Sequence, residues 1–221
     1  MLSLRIKINL ISLICTIVGA FIILSIIMFL DLVTSYQIKY GALVLSLIGS
    51  FGFTLQFIYN DFKLKPISKI YSNKSLFESM SDSERTSFIR NLLSFPIYSN
   101  IVSISLWFIS AVMMSVLSYF HLHISGIPAF SFFIEIMCAG LLAFLIQYNW
   151  FKQIIDNIYN NINLGPNASY PENVPYINLR TQSFLFFCVV IGYLVTNSNV
   201  NQHLDSFFVT SLQNAEKISV L

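Results

Sequence analysis

Charge is what this sequence has least of. Its 12 Lys and Arg and 10 Asp and Glu are spread over 221 residues, whereas about a quarter of a soluble domain is charged. Too few charges remain to clothe a water-facing surface, so a soluble globular fold is excluded. The net charge of +2, on basic residues that are dispersed rather than patched, gives no electrostatic footprint for nucleic acid. Cysteine is scarce too. Cys15, Cys138 and Cys188 lie far apart inside apolar runs, which excludes a disulfide framework and a Cys-x-x-Cys metal site. The sequence also lacks a Walker loop, a Gly-x-Ser-x-Gly elbow, a His-Glu-x-x-His pair and a Gly-rich dinucleotide fingerprint. No catalytic, cofactor-binding or metal-binding residue is expected, and the chain as it stands is not expected to be an enzyme. His121 and His123 alternate as metal ligands can, but no third ligand accompanies them, so they read as solvated turn residues.

Apolar residues make up 56% of the chain, with 21 Phe and 11 Tyr. They gather into runs long enough to cross a bilayer. The first, residues 8–30, follows Arg5 and Lys7 and is about 23 residues long, too long for a signal h-region of roughly 7–15. A second run covers 40–59, a third 97–120 with Trp107 inside it, and a fourth 129–150. The fifth has an apolar centre, 184–195, of about 12 residues, or about 18 Å of helix, and needs the preceding residues to span. The expected fold is an all-α integral membrane protein of about five transmembrane helices.

The two hairpins end in nearly the same words. Tyr59-Asn60-x-Phe62-Lys63 closes the first and Tyr148-Asn149-x-Phe151-Lys152 the second, each soon followed by Ile-Tyr. A period of roughly 90 residues fits one hairpin-and-tail unit used twice. The expected units are 1–95 and 96–181, each a hairpin with a polar tail, and 182–221, a fifth span leading to an extracellular amphipathic helix. The first tail carries Ser81-x-x-Glu84, with capping-box spacing, and predicts an amphipathic interfacial helix that feeds Pro96 and the third span. In the last unit Phe208, Leu212, Ala215, Ile218 and Leu221 recur at steps of three or four, a single stripe suited to pairing with a second copy.

Ten of the twelve basic residues lie at the N-terminus or in the segments after the second and fourth runs. The positive-inside rule then predicts a plasma (inner) membrane protein with a cytoplasmic N-terminus and an extracellular or periplasmic C-terminal tail. Glu135 is the carboxylate set deepest in an apolar run. An intramembrane carboxylate is a functional candidate by default, as a proton, cation or ligand site. The structural alternative is a carboxyl hydrogen-bonded to a neighbouring span through Ser110 or Ser115. Gly49 and Gly52 allow close helix packing, and Ser25, Ser46, Ser50, Ser103, Ser110, Ser115 and Asn100 are candidates for bonds between helices.

Arg90-x-Leu92-Leu93-x-Phe95-Pro96 with Leu106-Trp107, and Leu179-Arg180-Thr181-x-Ser183-Phe184-Leu185, resemble segments that open spans in bacterial, spirochaete-like membrane-bound class III adenylate/guanylate cyclases and related sensor receptors. The likeness covers residues 85–110 and 175–221. It implies the N-terminal membrane region of a larger receptor whose sensor and output domains lie outside these residues. No residue matches a cyclase catalytic position. The function expected is a membrane-anchoring, signal-transmitting module that acts as a homodimer through its C-terminal helix, with the lipid bilayer as its other partner. The alternative is a small transporter or channel subunit using Glu135.

Overall fold

A computed structural model describes residues 3–29, 35–121, 126–162 and 174–194. The described residues form six helices: α1 Leu4–Phe29, α2 Ser35–Ser72, α3 Lys74–Glu78, α4 Asp82–Phe120, α5 Gly126–Ile162 and α6 Leu179–Leu194. Four of them, α1, α2, α4 and α5, are long and apolar enough to cross a membrane. They pack in the ring order α1–α2–α4–α5, with α5 returning against α1. Neighbours run antiparallel, as in an up-and-down four-helix bundle.

The expected all-helical, multi-span architecture is present, but its elements are longer than the apolar runs. The 38 residues of α2 and 39 of α4 correspond to about 57 Å and 58 Å, well beyond a 30 Å hydrocarbon layer. The interfacial helix expected ahead of Pro96 is the first part of α4, continuous through Pro96, just as α2 continues through Pro66. A proline removes one intrahelical hydrogen bond; Pro96 is itself buried, and exposed Pro66 is flanked by buried Leu64 and Ile67, which anchor α2 on either side. Ser81 caps α4: its hydroxyl accepts from the Glu84 N–H while the Glu84 carboxylate accepts from the Ser81 N–H. The Ser81 backbone bond, then its hydroxyl, holds the Glu84 carboxyl below the usual carboxylate range. Arg85 folds back onto α3, donating to the carbonyls of Phe77 and Glu78 and lying over the Phe77 ring.

The described part of α6 is 16 residues, about 24 Å of helix. It runs antiparallel to α5. Gln182 accepts from Asn149 near its start at 3.2 Å, and a methyl on Gly192 would lie 2.6 Å from Cys138 Sγ. The paired C-terminal helix expected from Phe208 to Leu221, and His123, lie outside the described residues.

The bundle has two cores with different physics. Toward the end carrying Arg5, Lys63 and Lys152, large side chains interlock: Ile8, Leu64, Ile67, Leu92, Phe95, Phe151, Ile155 and Val174. Much of this cluster lies beyond the apolar runs, where burial from water stabilises it. The second core, inside the spans, is smaller: Ile23, Leu45, Ala111, Met114, Ile136 and Ala139. Between lipid-soluble helices the hydrophobic effect is absent, and close van der Waals fit holds them together. Exposed Phe21, Leu47, Phe51 and Phe130 around it face outward, as lipid-facing residues do.

Candidate functional site

Trp107 on α4 locks the membrane core. Its ring and Cβ fit between Gly19 of α1 and Gly140 of α5, where an added methyl would lie 2.6 Å and 2.7 Å away. Gly49 has nothing within 4 Å and Gly52 only Leu106 Cβ at 3.9 Å. The close-packing glycines are therefore not the pair singled out by spacing. The fit depends on a tryptophan from another helix, which spacing along one helix does not reveal.

One helical turn or two toward the basic end, four helices are tied by a buried polar knot. Asn60 Nδ2 donates to Asn9 Oδ1 at 3.4 Å and Ser12 Oγ at 3.3 Å. Ser99 Oγ donates to Asn60 Oδ1 at 2.6 Å, and Gln147 Nε2 to Ser12 Oγ at 3.3 Å. One residue each from α2, α4 and α5, and two from α1, thus share a network, and all five are buried. Just below it Arg5 pairs with Asp61. Above it lies a cavity of about 40 Å³ lined by Thr16, Gln56, Ser103, Trp107 and Ser110. The buried Gln56 amide Nε2 finds no partner among the described residues.

Of the five knot residues, sequence reasoning singled out Asn60, and only for its place in the echo. Asn9, Ser12, Gln56, Ser99 and Gln147 were missed. The available signal was polar spacing inside apolar runs: Asn9, Ser12 and Thr16, or Gln56 and Asn60, each fall on one helix face. Two of the serines expected to bond between helices bond within their own helix instead. Ser46 donates to the Ala42 carbonyl and Ser110 to the Leu106 carbonyl, each within its own helix. Asn100 likewise donates to the Pro96 carbonyl at 2.7 Å, leaving its own Oδ1 unpaired among the described residues.

Glu135 is 5% exposed on α5, and its Oε2 has no partner among the described residues. A carboxylate placed in this way is costly and suits either a neutral carboxyl or a site awaiting a cation. Ser110, one of its two expected partners, donates within α4 instead.

The echoed motif lands in unlike environments. Asn60 is fully buried in the knot, while Asn149 lies on the exposed side of α5 and donates to the Leu145 carbonyl. Phe62 is 72% exposed and Phe151 0%. Tyr148 is buried, and its hydroxyl accepts from Ile177 N–H at 2.9 Å, fastening the segment before α6. Tyr59 is half-buried, with Lys63 Nζ over its ring at 6.0 Å. Lys152 pairs with Asp156 at 2.7 Å.

No family model, curated protein or solved structure matches this chain. Its function is therefore argued from its own geometry. Among the described residues no three His, Cys, Asp or Glu gather as metal ligands do. What the arrangement does chemically is hold. Carboxamides and hydroxyls in a low-dielectric interior form short-range, directional bonds that fix helix register.

Proposed function

We propose that this chain is a membrane-anchoring, signal-transmitting module of a receptor-type protein, seated in the plasma (inner) membrane with its basic end in the cytoplasm. One observation carries the reading: α2, α4 and α5 run unbroken from the membrane core into the interlocked cluster at the basic end. A helix that crosses the interface without a joint passes displacement along its axis. The Trp107 clamp and the Asn60 knot tie these helices to α1 at two levels. The resemblance of residues 85–110 and 175–221 to cyclase-type receptors supports the same reading, in which the output belongs to a domain or subunit outside these residues. Dimerisation through the C-terminal stripe belongs to the same proposal. Cysteines at Leu212 or Ala215 then crosslink between subunits and one at Gln213 does not.

Spin labels on Ser72→Cys of α2 and Asn160→Cys of α5, in a background free of native cysteines, test the transmission. Trp107→Ala loosens the membrane core far from both labels. The distance between them should then shift by about 1–2 Å, the size of helix movements in switching proteins. An unchanged distribution refutes transmission through the bundle. Glu135, buried with an unpartnered oxygen, favours a second reading as a transporter or channel subunit. Ion flux in liposomes that disappears with Glu135→Gln decides for it. A folded Glu135→Gln protein with no flux in either form leaves the signalling reading in place.

A further inference from the structure

Between α2 and α4, at the level where both leave the apolar runs, lies a cleft of about 480 Å³. Its walls are Phe62, Pro66, Ile67, Phe88 and Phe95, and its rim carries Lys63, Lys65, Asn91, Tyr59 and Tyr98. We infer that this cleft is a binding site for an anionic phospholipid of the leaflet at the basic end.

Three features carry the assignment. The first is charge. Neither Lys63 nor Lys65 has a carboxylate partner among the described residues, and none lines the cleft. The nearby Asp61 is already held by Arg5. The second is depth. Tyr59 and Tyr98 sit at the ends of the second and third apolar runs, where aromatic hydroxyls meet the headgroup layer. The phosphate then falls between the lysine ammonium groups and the Asn91 amide. The third is shape. Phe62, 72% exposed, and Phe95 line the cleft three residues from Tyr59 and Tyr98, on the membrane side of Lys65 and Asn91, so an acyl chain meets apolar surface before the headgroup meets the polar rim. A soluble anion would use the rim and leave that surface wet. Basic pockets between transmembrane helices hold lipid headgroups in this way.

The test uses the full chain in nanodiscs containing equal phosphatidylglycerol and phosphatidylcholine, with lipids retained after release into the gas phase counted by native mass spectrometry. Preferential retention of phosphatidylglycerol is expected, falling about fivefold or more in Lys63→Gln/Lys65→Gln. Both lysines are exposed, so the variant should unfold at the parent temperature, which a melting curve checks. Lys7→Gln/Lys69→Gln removes the same charge away from the cleft and should retain the preference. Equal loss in both pairs would reduce the effect to general surface charge and overturn the site. Loss of the preference to inorganic phosphate, but not to chloride at matched ionic strength, would identify a free-phosphate site and overturn the lipid assignment.

Discussion

Alanine at Gly140 places a methyl 2.7 Å from both Cβ and Cγ of Trp107 and 3.1 Å from Cδ2. Two of these atoms lie at the root of the tryptophan side chain, so no rotation of the ring relieves the contact and α4 must move away from α5. Overpacking of this kind costs about 1–3 kcal/mol. The same substitution gains up to ~1 kcal/mol of helix propensity. Gly49→Ala makes the identical chemical change where nothing lies within 4 Å, so it should stabilise or be neutral. The difference between the two variants isolates the clash, and Gly140→Ala should be the weaker by about 1–3 kcal/mol. Gly19→Ala meets the far edge of the same ring, Cη2 at 2.6 Å and Cζ2 at 2.8 Å. Trp107→Phe removes that edge, so it should rescue Gly19→Ala but not Gly140→Ala. Unfolding of the purified protein by SDS titration in mixed micelles reads the four single variants and the two doubles. Equal stability of Gly140→Ala and Gly49→Ala, or equal rescue of both clashes by Trp107→Phe, would refute the clamp.

Asn60→Leu strips the knot of its centre and leaves Asn9 and Ser99 buried without partners, so it should cost about 1–3 kcal/mol in the same titration. Ser99→Ala removes a single bond and should cost less than ~1 kcal/mol. Asp61→Asn breaks an ion pair whose side chains are about a third exposed; the loss should stay below ~1 kcal/mol and shrink further at high salt. Cysteine at Ser72 should resist an impermeant reagent added outside intact cells, since it belongs to the basic end; labelling there would invert the topology. Ser81→Ala should speed amide exchange at the start of α4 several-fold. With the Glu84 carboxyl held below its ordinary range, the cap's contribution is complete above that range and is lost as pH falls through the lowered folded-state value; exchange measured across acidic pH checks the direction.

The sequence by itself determined that the chain is helical and built around four membrane-length apolar segments, because hydropathy and helix length are local properties. It also determined the capping box at Ser81, since both partners lie within one turn. What only the tertiary structure decided is which faces turn inward and how far each helix continues. Tyr148 follows Tyr59 by 89 residues in the echoed motif. Yet the buried positions Gln56, Asn60, Ile67 and Ile70 correspond to Phe144, Tyr148, Ile155 and Ile158 at a spacing of 88. One residue turns a helix face by about 100°, so matching letters meet different neighbours: Asn60 enters the knot while Asn149 stays outside it. The partners of each helix set that phase. Trp107 could be read as a bulky residue within a span, but its lock on Gly19 and Gly140 requires three helices meeting at one depth. Helix length beyond the membrane was hidden for the same reason, because the side chains that support α2 past Pro66 and α4 through Pro96 come from other helices, and no local propensity records them.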